Sequence, residues 1–230
     1  MGSMQHDPTR SRARGGLGRA VGIAAVVALA ASISSCTTVS RSSADALRLI
    51  FIPKPSATPA QVAAVRFPQL QLRAPDINGV LVLGFVDDGR QAWIAGGDAV
   101  FYLQANGLVT ATSGLGRNYA VRIDGPSPFD DLGGMNGTTR VQRHYDWRPA
   151  YQMGVPVTGT LAKVGTEKVV ILERPLTLAR YEEKLSGPGF RETNIYWVDE
   201  RSGFIWKSRQ YLAPGYAVDI EQLKPYRPGP

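Results

Sequence analysis

From Leu70 onward the chain is cut into strand-length runs by glycine turns, and no stretch sustains a helical period. Leu70-Gln71-Leu72-Arg73 alternates, whereas residues 79–86 are continuously apolar, the pattern of a strand buried on both faces. Asp87-Asp88-Gly89 turns the chain into residues 91–95, and Gly96-Gly97-Asp98 turns it again into residues 99–104. Asn106-Gly107 then sends it back along residues 108–113. Asn-Gly is a strong hairpin signal, because a two-residue type I′ turn needs positive φ at both positions. Runs of this kind predict an antiparallel meander.

The rest of the chain keeps that texture with one interruption. Residues 124–137 hold two prolines and four glycines, which predicts a long irregular loop. Strands resume at 138–147, and 159–164 is expected to pair with 168–173 across Gly165-Thr166-Glu167. Residues 176–185 carry Arg180, Glu182, Glu183 and Lys184, charges that suit a helix, but their surroundings favour a strand. Residues 190–198 and 204–212 read as a hairpin, and 217–223 as a final strand. Upstream, Ser43 can cap a short helix over 44–52 that Pro53 and Pro55 stop. Thr58 followed by Pro59 opens a second, over 59–65. The fold class expected is therefore mainly β: an antiparallel meander or sandwich-like domain with one or two short N-terminal helices. That domain spans 44–226, followed by a proline-rich tail at 227–230.

The N-terminus is of another kind. Four arginines precede the apolar run at 21–31, which closes on small residues and Ile33-Ser34-Ser35-Cys36. A basic segment, a short apolar core and a small-residue cut site make a secretory signal over 1–35. The apolar run is shorter than the roughly 20 residues a spanning helix needs. Cys36 is the chain's one cysteine, and it stands where cleavage would leave it first. These four residues resemble a bacterial lipobox, which implies lipid attachment at Cys36, with 36–43 as a tether. An ordinary secreted protein or an N-terminal membrane anchor is the alternative, and either leaves the cysteine without a role. Losing 1–35 removes four arginines and Asp7, so the net charge falls from +7 to +4. The basic balance therefore argues little for a nucleic-acid partner, and export argues against one. With Cys36 lipidated no disulfide can form, and packing alone must hold the fold.

Chemistry is thin. His144 is the only histidine left after cleavage, and it lies in an alternating run with Asp146; no Gly-x-Ser-x-Gly places a nucleophile. One histidine and no free thiol leave no metal-ligand set, and no cofactor loop opens a helix. The paired acids Asp87-Asp88, Asp130-Asp131, Glu182-Glu183 and Asp199-Glu200 read as solvated residues, most of them beside turns. No catalytic residue is assigned, and the chain is expected not to be an enzyme. One binding signal stands out. Arg140, Arg143, Tyr145, Trp147, Arg148 and Tyr151 gather cations and aromatics beside the glycine-rich loop, a composition that fits an acidic polysaccharide. It equally fits an ordinary strand with a buried tyrosine and tryptophan. Trp93, Trp197 and Trp206 lie in strong strand runs and are expected in the core.

Several segments in order, Trp93, residues 106–115, 194–199, 202–210 and Leu223-Lys224-Pro225-Tyr226, resemble the YjbF/GfcB group of lipoproteins. The resemblance runs from about Leu47 to Tyr226. It implies a mostly β fold and a lipid anchor on the periplasmic face of a Gram-negative outer membrane. It also implies work beside the protein partners of an exopolysaccharide or capsule export machine. It carries no catalytic residues to this chain. Thr37, rather than Asp, after the cysteine favours the outer membrane. A hairpin through Tyr196 and Gly203 also resembles half-barrel lipid carriers, a reading that a large apolar concavity would favour and a filled core would sink.

Overall fold

A computed structural model describes residues 57–148 and 151–226. The expected signal, Cys36, the tether, the helix over 44–52 and the tail lie outside the described residues.

The first element among the described residues is a short helix, α1 (Pro59–Ala64). Thr58 Oγ1 accepts from the Gln61 N–H at 3.3 Å, and Gln61 Oε1 accepts from the Thr58 N–H at 2.9 Å, a reciprocal cap. Strands follow in chain order: β1 (Gln69–Arg73), β2 (Asn78–Asp87), β3 (Arg90–Ile94), β4 (Val100–Leu103), β5 (Val109–Ser113) and β6 (Asn118–Ile123). After a loop come β7 (Thr138–Arg148), β8 (Gln152–Ile171), β9 (Arg174–Gly187), β10 (Phe190–Asp199), β11 (Phe204–Ala213) and β12 (Tyr216–Lys224). Each strand pairs antiparallel with the next, so the meander is present. It does not stop as an open sheet or fold into a sandwich. β12 returns to β1, with Leu72 opposite Ile220, and closes a twelve-stranded barrel. Closure removes both edges, which a sandwich leaves open to solvent.

Alternation along each strand decides what fills the barrel. On β7, Val141, Arg143, Tyr145 and Trp147 point inward and are buried, while Arg140, Gln142, His144, Asp146 and Arg148 face outward. Leu70, Leu72, Leu81, Trp93, Phe101 and Phe190 are fully buried in the same interior. The polarity is the reverse of a membrane-spanning barrel, whose apolar band faces out. The interior is packed and the barrel closed, so the half-barrel carrier reading fails for the described residues.

Three local expectations change. Gly165-Thr166-Glu167 is not a turn: β8 runs straight through it and pairs with β9. The register shifts between Lys163 and Gly165, so the glycine marks a bulge within a strand. The actual turn is Leu172-Glu173, with φ of 46° and 65°. β2 is not buried throughout, because β1 pairs only with residues 78–82. Past that point Phe85 is 53% exposed. The turn at Asn106-Gly107 has three residues: Gly107 N–H donates to Gln104 O, Gln104 N–H to Leu108 O, and only Gly107 has positive φ, 96°. That is a type I turn closed by a left-handed glycine.

The β6–β7 loop, residues 124–137, sits over one end of the barrel. A single 3₁₀ turn, Pro128–Asp131, drives Phe129 into the interior, and Leu132 follows it; both are fully buried. Asn106 Nδ2 donates to Phe129 O at 2.6 Å and Tyr181 Oη to Leu132 O at 2.8 Å, pinning the loop from two sides.

One junction in the barrel is weak. β5 and β6 are registered at a single pair, Ala111 opposite Ala120, whereas every other neighbouring pair is registered at four or more positions. One side chain splices it, and a second ties β5 to β11. Thr112 Oγ1 accepts from the Tyr119 N–H, and Gln210 Oε1, reaching from β11, accepts from the Val109 N–H, both at 3.0 Å.

Candidate functional site

Two features concentrate polar chemistry. The first is a charge pair inside the barrel. Arg143 (β7) and Glu183 (β9) are 3% and 0% exposed. Arg143 Nε donates to Glu183 Oε1 at 2.7 Å and its Nη2 to Oε2 at 2.8 Å, a bidentate fork. Tyr196 Oη donates to Glu183 Oε2 at 2.8 Å, and Asn194 Nδ2 to the same oxygen at 3.0 Å. Phe129 lies against the guanidinium, 5.1 Å from its carbon to the ring centre. Gly159 on β8 faces this pair, and a Cβ there would collide with Glu183 Oε1.

Burial alone would loosen the proton on Arg143. The Glu183 carboxylate outweighs it, with Tyr196 and Tyr145 behind, and holds the guanidinium above its ordinary range. Burial also pushes the Tyr196 phenol far up, helped by Glu183 and opposed by Arg143. Tyr145 rises for the same first reason, with Arg143 pulling it down. The neutral phenols are the folded forms, so their contribution to stability is intact below the ordinary value of 10.0 and fades as pH rises beyond it. Alkaline titration followed at 295 nm is therefore expected to show part of the tyrosinate signal appearing only together with loss of near-UV circular dichroism. Full tyrosinate signal with an intact fold would contradict this burial.

The second feature is a polar cleft along the split seam. A recess of about 660 Å³ is lined by Asp88, Arg90, Gln104, Thr110, Arg122 and Asp130 among others. A smaller one, about 390 Å³, shares Gln104, Thr110, Arg122 and Asp130 and reaches inward to Arg143. The β2–β3 and β4–β5 turns and the pinned β6–β7 loop all end at this side of the barrel, because strand direction alternates around the ring.

The six residues grouped from sequence do not form one face. Arg143, Tyr145 and Trp147 are inside; Trp147 Nε1 donates to Leu212 O at 2.7 Å. Arg140 and Arg148 are exposed but stand at opposite ends of β7, roughly 27 Å apart at ~3.4 Å per residue. Tyr151, 84% exposed, belongs to the turn beyond Arg148. Arg143 is therefore not a surface cation, as its inward register dictates. His144 is half-buried on the outer face and meets the Asp124 carboxylate at 3.1 Å, not Asp146. Of the three tryptophans expected in the core, Trp93 is fully buried, Trp206 is nearly so and Trp197 is partly covered. Glu183 escaped the sequence reading as half of an acidic pair, although its place between Tyr181 and Leu185 in a period of two marks it as inward.

The family described as group 4 capsule polysaccharide lipoprotein gfcB, YjbF, matches over residues 44–223. A relative from Escherichia coli (strain K12), the uncharacterized lipoprotein GfcB, is 24% identical over 201 residues, covering 84% of this chain and 94% of its own. The crystal structure of the hypothetical lipoprotein YmcC from Escherichia coli (K12) superposes with a TM-score of 0.66 at 22% identity. That superposition covers 73% of this chain and 89% of YmcC, and it is a likeness of fold.

Proposed function

Because this chain belongs to the group 4 capsule polysaccharide lipoprotein family, GfcB/YjbF, we propose that it is a non-catalytic accessory lipoprotein of exopolysaccharide or capsule production. Cys36 carries its lipid, and the barrel stands on the periplasmic face of the outer membrane beside the protein partners of a polysaccharide export machine. The observation that carries this reading is the family match over 44–223, which begins eight residues after a lipobox-like cysteine. The non-catalytic part is supported by where the charge pair lies: Arg143 and Glu183 are buried inside the barrel, with their charged atoms turned to each other and to Asn194 and Tyr196.

The test is Cys36→Ser in the producing strain, compared with a deletion of the gene. The substitution removes the thioether and with it the acyl chains that make anchoring stable. Fatty-acid labelling and sedimentation with outer membranes are expected to disappear, and secreted polymer is expected to fall to the level of the deletion. Retained label, or a deletion strain that secretes normally, would overturn the proposal.

A further inference from the structure

The cleft lies along the β5–β6 seam, over its one registered pair, Ala111 and Ala120. Its walls are fixed: the β6–β7 loop is pinned through Phe129 O and Leu132 O, and the β4–β5 turn through the Ile205 N–H, which donates to Asn106 O at 2.9 Å. At the seam a side-chain bond, Thr112 Oγ1 accepting from the Tyr119 N–H, stands in for most of the backbone ladder that joins the other strands. Gln104 lines both recesses, and its side-chain oxygen, shielded as it stands, has no hydrogen-bond partner among the described residues. A buried acceptor without a donor is costly, and turning the Gln104 amide over would bring that oxygen to the cleft, where a ligand hydroxyl can donate to it.

The lining charges cancel. Asp88 and Asp130 stand against Arg90 and Arg122. Arg90 already lies over the Tyr102 ring, 4.7 Å from its centre, and the deeper Arg143 is neutralised by Glu183. Arg122 is 64% exposed and only loosely paired, 4.0 Å from Asp124. A polyanion gains nothing from such a lining. A hydroxyl, donor and acceptor at once, can use the carboxylates, the guanidinium, the Gln104 amide and the Thr110 side chain together. The volume suits a few sugar rings.

We infer that this seam cleft binds a hydroxyl-rich segment of glycan, through Gln104, Thr110, Arg122 and Asp130, by hydrogen bonding and not by charge attraction. The inference rests on the proposed role in polysaccharide production and names the surface that touches the polymer. It differs from the basic-aromatic face in its residues and in its salt dependence.

The experiment uses the full lipidated chain in a detergent without sugar headgroups. Probes are oligosaccharides cut from the producer's own polymer, a neutral hexasaccharide and an oligogalacturonate, read by ligand-observed NMR. Saturable binding of producer oligosaccharides is expected, changing less than about threefold between roughly 50 and 500 mM salt. Arg122→Ala with Asp130→Ala should weaken it by about tenfold or more, as loss of charge-assisted hydrogen bonds does. Both residues are exposed, so the fold is expected to survive, and Arg148→Ala on the outer face should change nothing. No saturable binding, binding that the double variant leaves unchanged, or a steeply salt-dependent preference for the oligogalacturonate would each overturn the cleft. If deletion of the gene abolishes secretion while the cleft binds nothing, only the cleft is wrong; if deletion has no effect, the accessory role itself falls.

Discussion

Glu183→Leu is expected to destabilise the barrel by about 3–5 kcal/mol. The leucine removes a carboxylate that accepts from Arg143, Asn194 and Tyr196, and it leaves the guanidinium charged, buried and without its partner. Arg143 cannot escape by losing its proton, because even an uncompensated guanidinium holds it far above neutral pH. Urea unfolding of the variant should show a lower midpoint with little change in slope. Replacing both partners, Arg143→Met with Glu183→Leu, should recover most of the loss, since no charge then remains to be buried. A single variant as stable as the wild type, or a double variant no better than the single, would mean that the pair does not behave as a buried unit. The same site makes a side expectation concrete: a methyl group added at Gly159 must displace Glu183 from its donors.

Phe129→Ala is the second large effect, about 3–5 kcal/mol for removing a fully buried ring from a packed site. The ring sits edge-on to Tyr196, 5.1 Å between centres, and under the Arg143 guanidinium, so its loss opens the space around the ion pair as well. It also cuts the loop's main apolar anchor. Hydrogen exchange should therefore rise across residues 124–137 well before global unfolding. Unchanged protection in that loop would show that Leu132 and the Asn106 bond hold it alone.

Much of this architecture is legible in the residues, and the parts that are not have a common cause. Strand runs and their order follow from local alternation and from turns such as Asp88-Gly89, where both residues take positive φ. Closure does not follow, because pairing β1 with β12 depends on twist and strand count summed around the ring and leaves no local mark. The bulge at Gly165 looks like a turn for a related reason: glycine relaxes the backbone in either setting, and only the partner strand decides which. The charge pair hides for the same non-local reason. Residue type alone puts Arg143 and Glu183 on the surface, although each occupies an inward position in its own strand. A charge on an apolar face needs a counter-charge, and Glu183 lies 40 positions away, two strands along. The seam cleft is invisible at the sequence level, since the missing β5–β6 pairs are a property of spacing between strands.

The meeting of the first and last strands sets an order on how the chain becomes a folded protein. Every other strand pairs with a neighbour in sequence, so hairpins can assemble as successive segments emerge from a ribosome or a translocation pore. β1 alone must wait, one flank satisfied by β2 and the other open, until Tyr216–Lys224 arrives. A nascent chain is thus sticky at one edge for its whole passage and loses that edge only when its final segment is delivered. Completion of the ring is in effect a proof of length: a product truncated anywhere before β12 keeps exposed backbone edges, the kind of surface that chaperones retain and proteases remove.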